Sequence, residues 1–298
     1  MSSDSYNISI VVIGYNTLST LPNTINSINR LKVSNHNVEV IYIDDGSTDG
    51  SYEYFENTKL NFQKLNFCFK NNHGRVAARL KGIEMACGEW LLFLNSNIIV
   101  EENLLLEYVE SISMNNAYAY GGSVNTISND LIFQKYLNHP NRGINQYKNN
   151  QNINYQHLIF NNCMINKKIF NTITFNSKLR YYGGEELDFA YKMHEKHPNM
   201  MVASKNALAT RINHPNYKKH LYRLIEFGET NFILLDSKLQ IDIVRYKFLL
   251  NKNILFKALF NVLYFICILL YKLPLIGNHI VKIGLLASIL RGYYKNKL

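Results

Sequence analysis

The unbroken apolar run Trp90-Leu91-Leu92-Phe93-Leu94, which stops at the polar triplet Asn95-Ser96-Asn97, constrains this chain most. A strand that is apolar at every position has no face for water and must be covered on both sides, which calls for a sheet with helices on each face. Three further strands are expected, each ending in or leading into a polar cluster. Ile8 to Ile13 ends in Gly14-Tyr15-Asn16, Val38 to Ile43 ends in Asp44-Asp45-Gly46-Ser47, and Leu65 to Phe69 leads into Lys70-Asn71-Asn72-His73-Gly74. Between them Leu18, Leu21, Ile25 and Ile28 recur at helical spacing, as do Val76, Ala77, Leu80, Ile83 and Ala86 before Cys87-Gly88. Ser47, Thr48 and Asp49 are placed to cap a helix after the second run. This alternation predicts βαβ units with right-handed crossovers, an α/β class, and a mostly parallel sheet whose ligand crevice lies at the strand carboxyl ends. The polar clusters all fall at that edge.

Farther along, a helix is expected at Glu101 to Met114 and a strand near Ala117 to Val124. Residues 125–156 turn Asn-rich and lose periodicity, which reads as an irregular, acceptor-side insertion. Leu158 to Ile165 returns to the sheet, and Gly183-Gly184-Glu185-Glu186-Leu187-Asp188 opens a helix to about Glu195, with its acidic residues at the positive end of the helix dipole. A helix with aromatic and basic residues is expected from Lys218 to Leu235.

The most apolar part of the chain follows. Ile254 to Tyr271 is interrupted only by Lys257 and Asn261, Pro274 and Gly277 break it, and Ile280 to Leu290 is a second apolar run. A spanning helix needs roughly 20 apolar residues, so the first run is borderline and the second too short. Lys252, Lys257, Lys272, Lys282, Arg291, Lys295 and Lys297 flank or punctuate both runs. Basic residues around apolar helices suit an interfacial helix on an anionic leaflet; the alternative is a helical pair packed on the main body. The organisation expected is therefore one α/β domain over 1–238 and a helical, apolar and basic membrane-associating region over 239–298.

With 298 residues and 47% hydrophobic content the chain can bury a large core. Its formal charge of +10 implies an anionic partner, and nucleic acid, anionic lipid and phosphorylated substrates all qualify. No nucleic-acid motif accompanies the charge, and the basic residues gather toward the apolar tail, so nucleic acid is not an expected partner. Cys68, Cys87, Cys163 and Cys267 lack CxxC spacing, which suggests neither a zinc site nor a disulfide framework. Met1 to Asn7 lacks a secretory pattern, so a cytoplasmic position, peripheral or integral at the inner face of the plasma membrane, is expected.

Five pieces occur in the order and spacing of one family: Ile10-Val11-Val12-Ile13-Gly14-Tyr15-Asn16; Asp44-Asp45-Gly46-Ser47-Thr48-Asp49; Asn72-x-Gly74 through Ala78-Arg79; Ala86-Cys87-Gly88-Glu89-Trp90 into Phe93-Leu94-Asn95-Ser96-Asn97; and Gly184-Glu185-Glu186-x-Asp188. Over about residues 8 to 235 the chain resembles the family 2 glycosyltransferases with the GT-A fold, Rossmann-like in its central sheet. The resemblance implies transfer of a hexosyl group, with inversion, from a nucleoside-diphosphate sugar to an acceptor hydroxyl, with a UDP-sugar favoured. It also implies a glycan or lipid-linked glycan acceptor in surface polysaccharide, lipopolysaccharide or lipid-linked oligosaccharide synthesis.

By the same resemblance Gly14, Tyr15, Asn16, Asp44 and Asp45 form the nucleotide pocket. A carboxylate there can accept the imide N–H of uracil. Arg79, with Arg75 as second choice, suits the diphosphate through forked hydrogen bonds. Glu186 is the first candidate for the base that deprotonates the acceptor, Glu185 the second, and Asp188 orients the loop or contacts acceptor. Asp45 and Glu186 are expected to face one another across a shared cleft. The family's metal-holding Asp-x-Asp stands here as Asn95-Ser96-Asn97. A manganese or magnesium ion would then rest on Asn97 and His214, but amide oxygens bring no charge and hold a hard cation weakly, which leaves metal dependence in doubt. Leaving-group stabilisation could instead fall to Arg79, His214 and Lys218. The competing expectation is a catalytically degenerate protein that binds nucleotide-sugar or glycan without turnover.

Overall fold

A computed structural model describes residues 5–251, 254–273 and 277–295. Lys252, Pro274 and Lys297, named above in the apolar tail, lie outside the described residues. In chain order the elements are β1 (Asn7–Gly14), α1 (Leu21–Ile28), β2 (Asn37–Asp44), α2 (Ser51–Asn57), β3 (Gln63–Cys68), α3 (Arg75–Met85), β4 (Trp90–Asn95), β5 (Ile98–Val100) and α4 (Leu104–Met114). Then come β6 (Ala119–Ser128), α5 (Leu131–Leu137), β7 (Asn162–Asn166), α6 (Glu185–Lys196), β8 (Met201–His214), α7 (Tyr217–Glu229), α8 (Ser237–Val244), α9 (Ile254–Leu270) and α10 (Gly277–Lys295), with short 3-10 turns between some of them.

The eight strands form one sheet in the order β3-β2-β1-β4-β7-β6-β8-β5. The four N-terminal apolar strands are all parallel, as their alternation with helices requires. Beyond β4 the sheet is mixed rather than mostly parallel: β7 runs antiparallel to β4 and to β6, β8 runs parallel to β6, and β5 antiparallel to β8. The difference arises because β7 and β5 follow irregular connections and not a βαβ crossover.

Both faces of β1, β2 and β4 are buried, as their apolar runs dictated, whereas β3 at the sheet edge is only half-buried. Val11, Ile13, Ile41, Ile43, Leu91 and Phe93 pack toward α3 and α6, whereas Ile10, Val12, Val40, Tyr42, Leu92 and Leu94 pack toward α1, α2 and α4. Register then sets the functional edge. Gly14 pairs with Asp44 and Ile13 with Asn95, so three polar turns leave the sheet side by side.

The Asn-rich stretch is less irregular than its sequence suggests. β6 runs on to Ser128, and Asp130 caps α5 by accepting the Phe133 amide at 3.1 Å. The same carboxylate accepts the Tyr217 amide at 3.1 Å and the Tyr271 hydroxyl at 3.0 Å, tying the insertion to α7 and to the end of α9. Ile144 and Ile153 are buried in the main core, so much of this segment is packed structure. The helices after 238 also dock on the body. Leu239, Val244, Phe260, Ala287, Leu290, Tyr293 and Tyr294 join the core that contains α6, with α10 lying along α7 and α9 outside α10. Among the described residues no helix is long and apolar enough to cross a membrane.

Candidate active site

At the carboxyl edge of β1, β2 and β4 lies a cavity of about 570 Å³. Its floor is built by three turns that hold one another. The Asn16 amide donates to Ser47 Oγ at 2.8 Å, and Asn16 Oδ1 accepts the Thr48 amide at 2.9 Å, so the turn after β1 is clamped to the turn after β2. Asn16 takes a positive φ of 51°, a conformation that asparagine tolerates well. The Ser96 amide donates to the Ile13 carbonyl at 3.1 Å, fixing the third turn. Gly14, Tyr15, Asn16, Asp45, Asn95, Ser96 and Asn97 all line this cavity.

The paired aspartates divide the labour. Asp44 is wholly buried beneath the floor, where its carboxylate accepts the Ser47 amide at 2.6 Å and the Tyr42 hydroxyl at 3.0 Å; it shapes the turn and does not line the cavity. Asp45 lines it, and its two oxygens accept the His73 and Gly74 amides at 2.8 and 2.9 Å. Burial raises the Asp45 pKa, and those two amides offset only part of the rise. Gly74 meets Asp45 because its φ of 86° turns the chain into α3, and a Cβ there would lie 2.7 Å from the Arg180 carbonyl oxygen.

Arg79 does not reach the cavity. Its side chain is 1% exposed: Nη1 bonds Glu185 Oε1 at 3.0 Å, Nη2 bonds Glu186 Oε1, and the guanidinium lies against the rings of Phe160 and Phe175. Both tines of the fork are spent on the acidic helix start, which leaves none for a diphosphate. Arg75, one turn earlier on α3, does line the cavity, with Nη1 3.6 Å from Glu185 Oε1.

The acids at the start of α6 therefore sit one layer behind the cavity. Burial would push Glu185 up, but Arg79 and Arg75 outweigh it and hold its carboxyl below the usual range. The Glu186 side chain is 20% exposed against 3% for Glu185, and its Oε2 accepts the Phe160 amide at 3.2 Å. Asp45 and Glu186 do not face one common cavity, since only Asp45 lines it. The segment Arg180 to Tyr182 and Arg75 stand on the cavity wall, Arg75 reaching Glu185, and α3 connects the two carboxylate sites. Asp188 points elsewhere, into a 2.6 Å ion pair with Lys192, and burial raises its pKa against that pull.

His214 also stays out of the cavity. Its Nδ1 lies 2.8 Å from the Pro215 carbonyl, its ring packs on Phe133 and His220, and burial with Arg211 nearby holds its pKa down at about 4. It is neutral at neutral pH and supplies no charge to a diphosphate. Lys218 is exposed on α7 and does not line the cavity. The residues proposed for a divalent cation do not fit one. Asn95, Ser96 and Asn97 bring only neutral oxygens, Asn97 spends its amide NH₂ on the Ile212 carbonyl at 3.0 Å, and both Asp45 oxygens are engaged. Among the described residues no group of three or more His, Cys, Asp or Glu side chains could hold a metal.

Sequence reasoning missed four basic and aromatic groups of the wall: Arg180, Tyr182, Arg211 and Arg223. The Tyr182 ring lies between two guanidinium groups, 5.0 Å from that of Arg75 and 5.4 Å from that of Arg223. The available signal was weak, amounting to two arginines that straddle His214 and a third just before the Tyr-Tyr-Gly-Gly turn.

An eight-stranded α/β sheet with a polar cavity at its parallel edge defines the GT-A class of fold. The S. aureus TarS 1–349 structure in complex with UDP superposes with a TM-score of 0.58 over 98% of this chain and 92% of that one, at 14% identity. GalNAc-T7 with UDP, GalNAc and Mn2+ superposes with a TM-score of 0.56 over 80% of this chain and 54% of that one, at 15% identity. The sequence places the chain more narrowly: it belongs to glycosyl transferase family 2, whose profile matches residues 9–174. Glycosyltransferase GlyG of Streptococcus pneumoniae serotype 4 is 30% identical over 141 residues, 47% of this chain and 42% of that protein. The cholesterol galactosyltransferase of Borreliella burgdorferi is 27% identical over 151 residues, 48% of this chain and 41% of that protein. The matches thus span less than half the length of these curated relatives.

Proposed function

We propose that the protein is an inverting hexosyltransferase that takes its sugar from a nucleoside diphosphate, with UDP favoured. The observation that supports this most is the cavity at the carboxyl ends of β1, β2 and β4, where Asp45 and the turn at Tyr15-Asn16 meet a wall of arginines. A carboxylate beside a polar turn suits an imide-bearing base, and guanidinium groups suit the diphosphate. The UDP and UDP-GlcNAc complexes of TarS, whose fold is alike, support the same class of donor.

Glu186 is the base in this reading. It is the more exposed of the acidic pair. The acceptor hydroxyl gives its proton to the Glu186 carboxylate while its oxygen bonds to the anomeric carbon. The bond from that carbon to the diphosphate oxygen breaks, and its electron pair leaves on the diphosphate. Arg79 and the Phe160 amide hold the carboxylate in place.

The acceptor in this proposal is a glycan or lipid-linked glycan held at the inner face of the plasma membrane. The exposed side chains of Leu255, Ala258, Leu259, Val262, Ile266 and Leu269 recur on α9 at i, i+3, i+4 and i+7, a continuous apolar stripe on its outward face. From Val244 to Leu298 the chain carries nine basic and no acidic residues. An apolar stripe in a wholly basic segment complements an anionic lipid surface, on which α9 would lie flat.

Hydrolysis and transfer assays with a panel of UDP- and GDP-sugars test the reaction. Turnover of one donor that is lost in Glu186→Gln, with nucleotide binding retained, supports it. A second reading, nucleotide-sugar binding without turnover, draws on the position of Glu186 behind the cavity wall; binding of a donor with no turnover for any acceptor would establish it instead.

A further inference from the structure

We infer that this protein binds its diphosphate without a divalent cation, and that Arg75, Arg211 and Arg223 neutralise the diphosphate where a metal would otherwise stand. The inference rests on the nucleotide-diphosphate reading above and deepens it. Four arginines line the cavity against two carboxylates, Asp45 and Glu226, and Asp45 already accepts two backbone amides. Among the described residues, Arg180, Arg211 and Arg223 make no ion pair.

Arg211 is the most telling of the four. Its Nε is buried with no hydrogen-bond partner, although it lines an open polar cavity. A buried guanidinium nitrogen without an acceptor is costly, and an anion in the cavity would satisfy it. Its charge is unwelcome where it stands, because burial pulls its pKa down and the neighbouring charges of Arg75 and Arg223 pull the same way, with Tyr182 and Glu186 opposing them. Tyr182 presents its ring to both Arg75 and Arg223 at the cavity wall, while Arg75 also stands 3.6 Å from Glu185.

The turn beside Arg211, bonded to the Ile212 backbone through Asn97, explains why a cation is not needed. The turn at Asn95-Ser96-Asn97 offers no negative charge, and a divalent ion there would stand beside a cluster of like charges. A diphosphate, in contrast, relieves the repulsion among the arginines and gains charge-assisted hydrogen bonds from them. The same contacts would stabilise the diphosphate as it leaves, when its charge is greatest.

Calorimetric titration of the full chain with UDP and with uridine, in EDTA and in manganese chloride, tests this. UDP should bind with the same affinity within about twofold in both buffers. Arg211→Gln and Arg223→Gln should each weaken UDP at least tenfold and leave uridine unchanged, with no loss of thermal stability, since each relieves like-charge crowding. UDP binding that vanishes in EDTA and returns with manganese overturns the inference, as do variants that bind UDP like the parent or a parent that binds neither ligand. Metal-free UDP binding without any sugar transfer would leave the inference standing and remove the transferase reading. Transfer that requires manganese would do the reverse.

Discussion

Arg79 Nη1 and Glu185 Oε1 meet at 3.0 Å with both side chains shut away from water, and this buried pair joins α3 to the acidic start of α6. Glu185 Oε2 has no hydrogen-bond partner, so the arginines are its main compensation. Removing one partner of a buried pair leaves an unmatched charge, at a cost of about 3–5 kcal/mol. Arg79→Met should lower the free energy of unfolding by that amount in urea titrations. Arg79→Lys should rescue little, because one ammonium cannot fork between two carboxylates. Arg79→Met with Glu185→Met should lose less than Arg79→Met alone; an additive double variant would show that the two groups are not coupled.

How much of this was legible from the residues alone follows from what kind of order each feature needs. β1, β2 and β4 were legible because each is a largely apolar run that stops at a polar turn, β3 because Leu65, Phe67 and Phe69 alternate along an edge strand, and the start of α6 because Gly184 precedes three acids. The burial of Arg79 was not, since it depends on acids 106 and 107 positions later that only the fold brings near. The arginine wall was hidden for the same reason, being drawn from α3, the segment before α6, β8 and α7. In the Asn-rich stretch composition masked a real signal, namely Asp130 followed by Phe133, Tyr136 and Leu137, which is a capped helix with an apolar side.

Two histidines make stability depend on pH. His214 and His220 pack on each other and on Phe133, and burial together with Arg211 and Arg223 holds their pKa values at about 4 and about 3. Both are neutral when folded but free to protonate near pH 6.5 when unfolded. The stability this gives is full above pH 6.5 and declines as the pH falls, by about 1.4 kcal/mol per pH unit for each histidine, down to the folded values. Urea midpoints measured from pH 7 to pH 4.5 should fall accordingly. His220→Phe should flatten the slope by about half, and an unchanged slope would contradict the assignment.

Gly74 joins the Asp45 side of the cavity to the Arg180 to Tyr182 segment of its wall. At φ of 86°, and with a would-be Cβ 2.7 Å from the Arg180 carbonyl, it has no room for a side chain. Gly74→Ala should cost about 1–3 kcal/mol from the strained backbone alone. It should also displace Arg180 and Tyr182 and disturb the amide that Asp45 accepts, so UDP affinity should fall together with stability. Retention of both in thermal melts and UDP titrations would mean that the contact yields without consequence.

The outward stripe of α9 is the remaining surface whose chemistry asks for a partner. Phe260, Tyr264 and Cys267 anchor the helix to the body, so charge placed on the opposite side should leave the fold intact. Val262→Glu with Ile266→Glu replaces two exposed apolar side chains by carboxylates, which costs both apolar burial in lipid and attraction to anionic headgroups. Partition of the full chain into vesicles with phosphatidylserine should drop at least tenfold in the double variant, with the thermal midpoint unchanged. Binding of the parent should also weaken as salt rises, because screening removes the part due to lysines such as Lys257, Lys272 and Lys282. Equal partition of parent and variant, or no vesicle binding by the parent at low salt, would show that α9 does not meet a lipid surface.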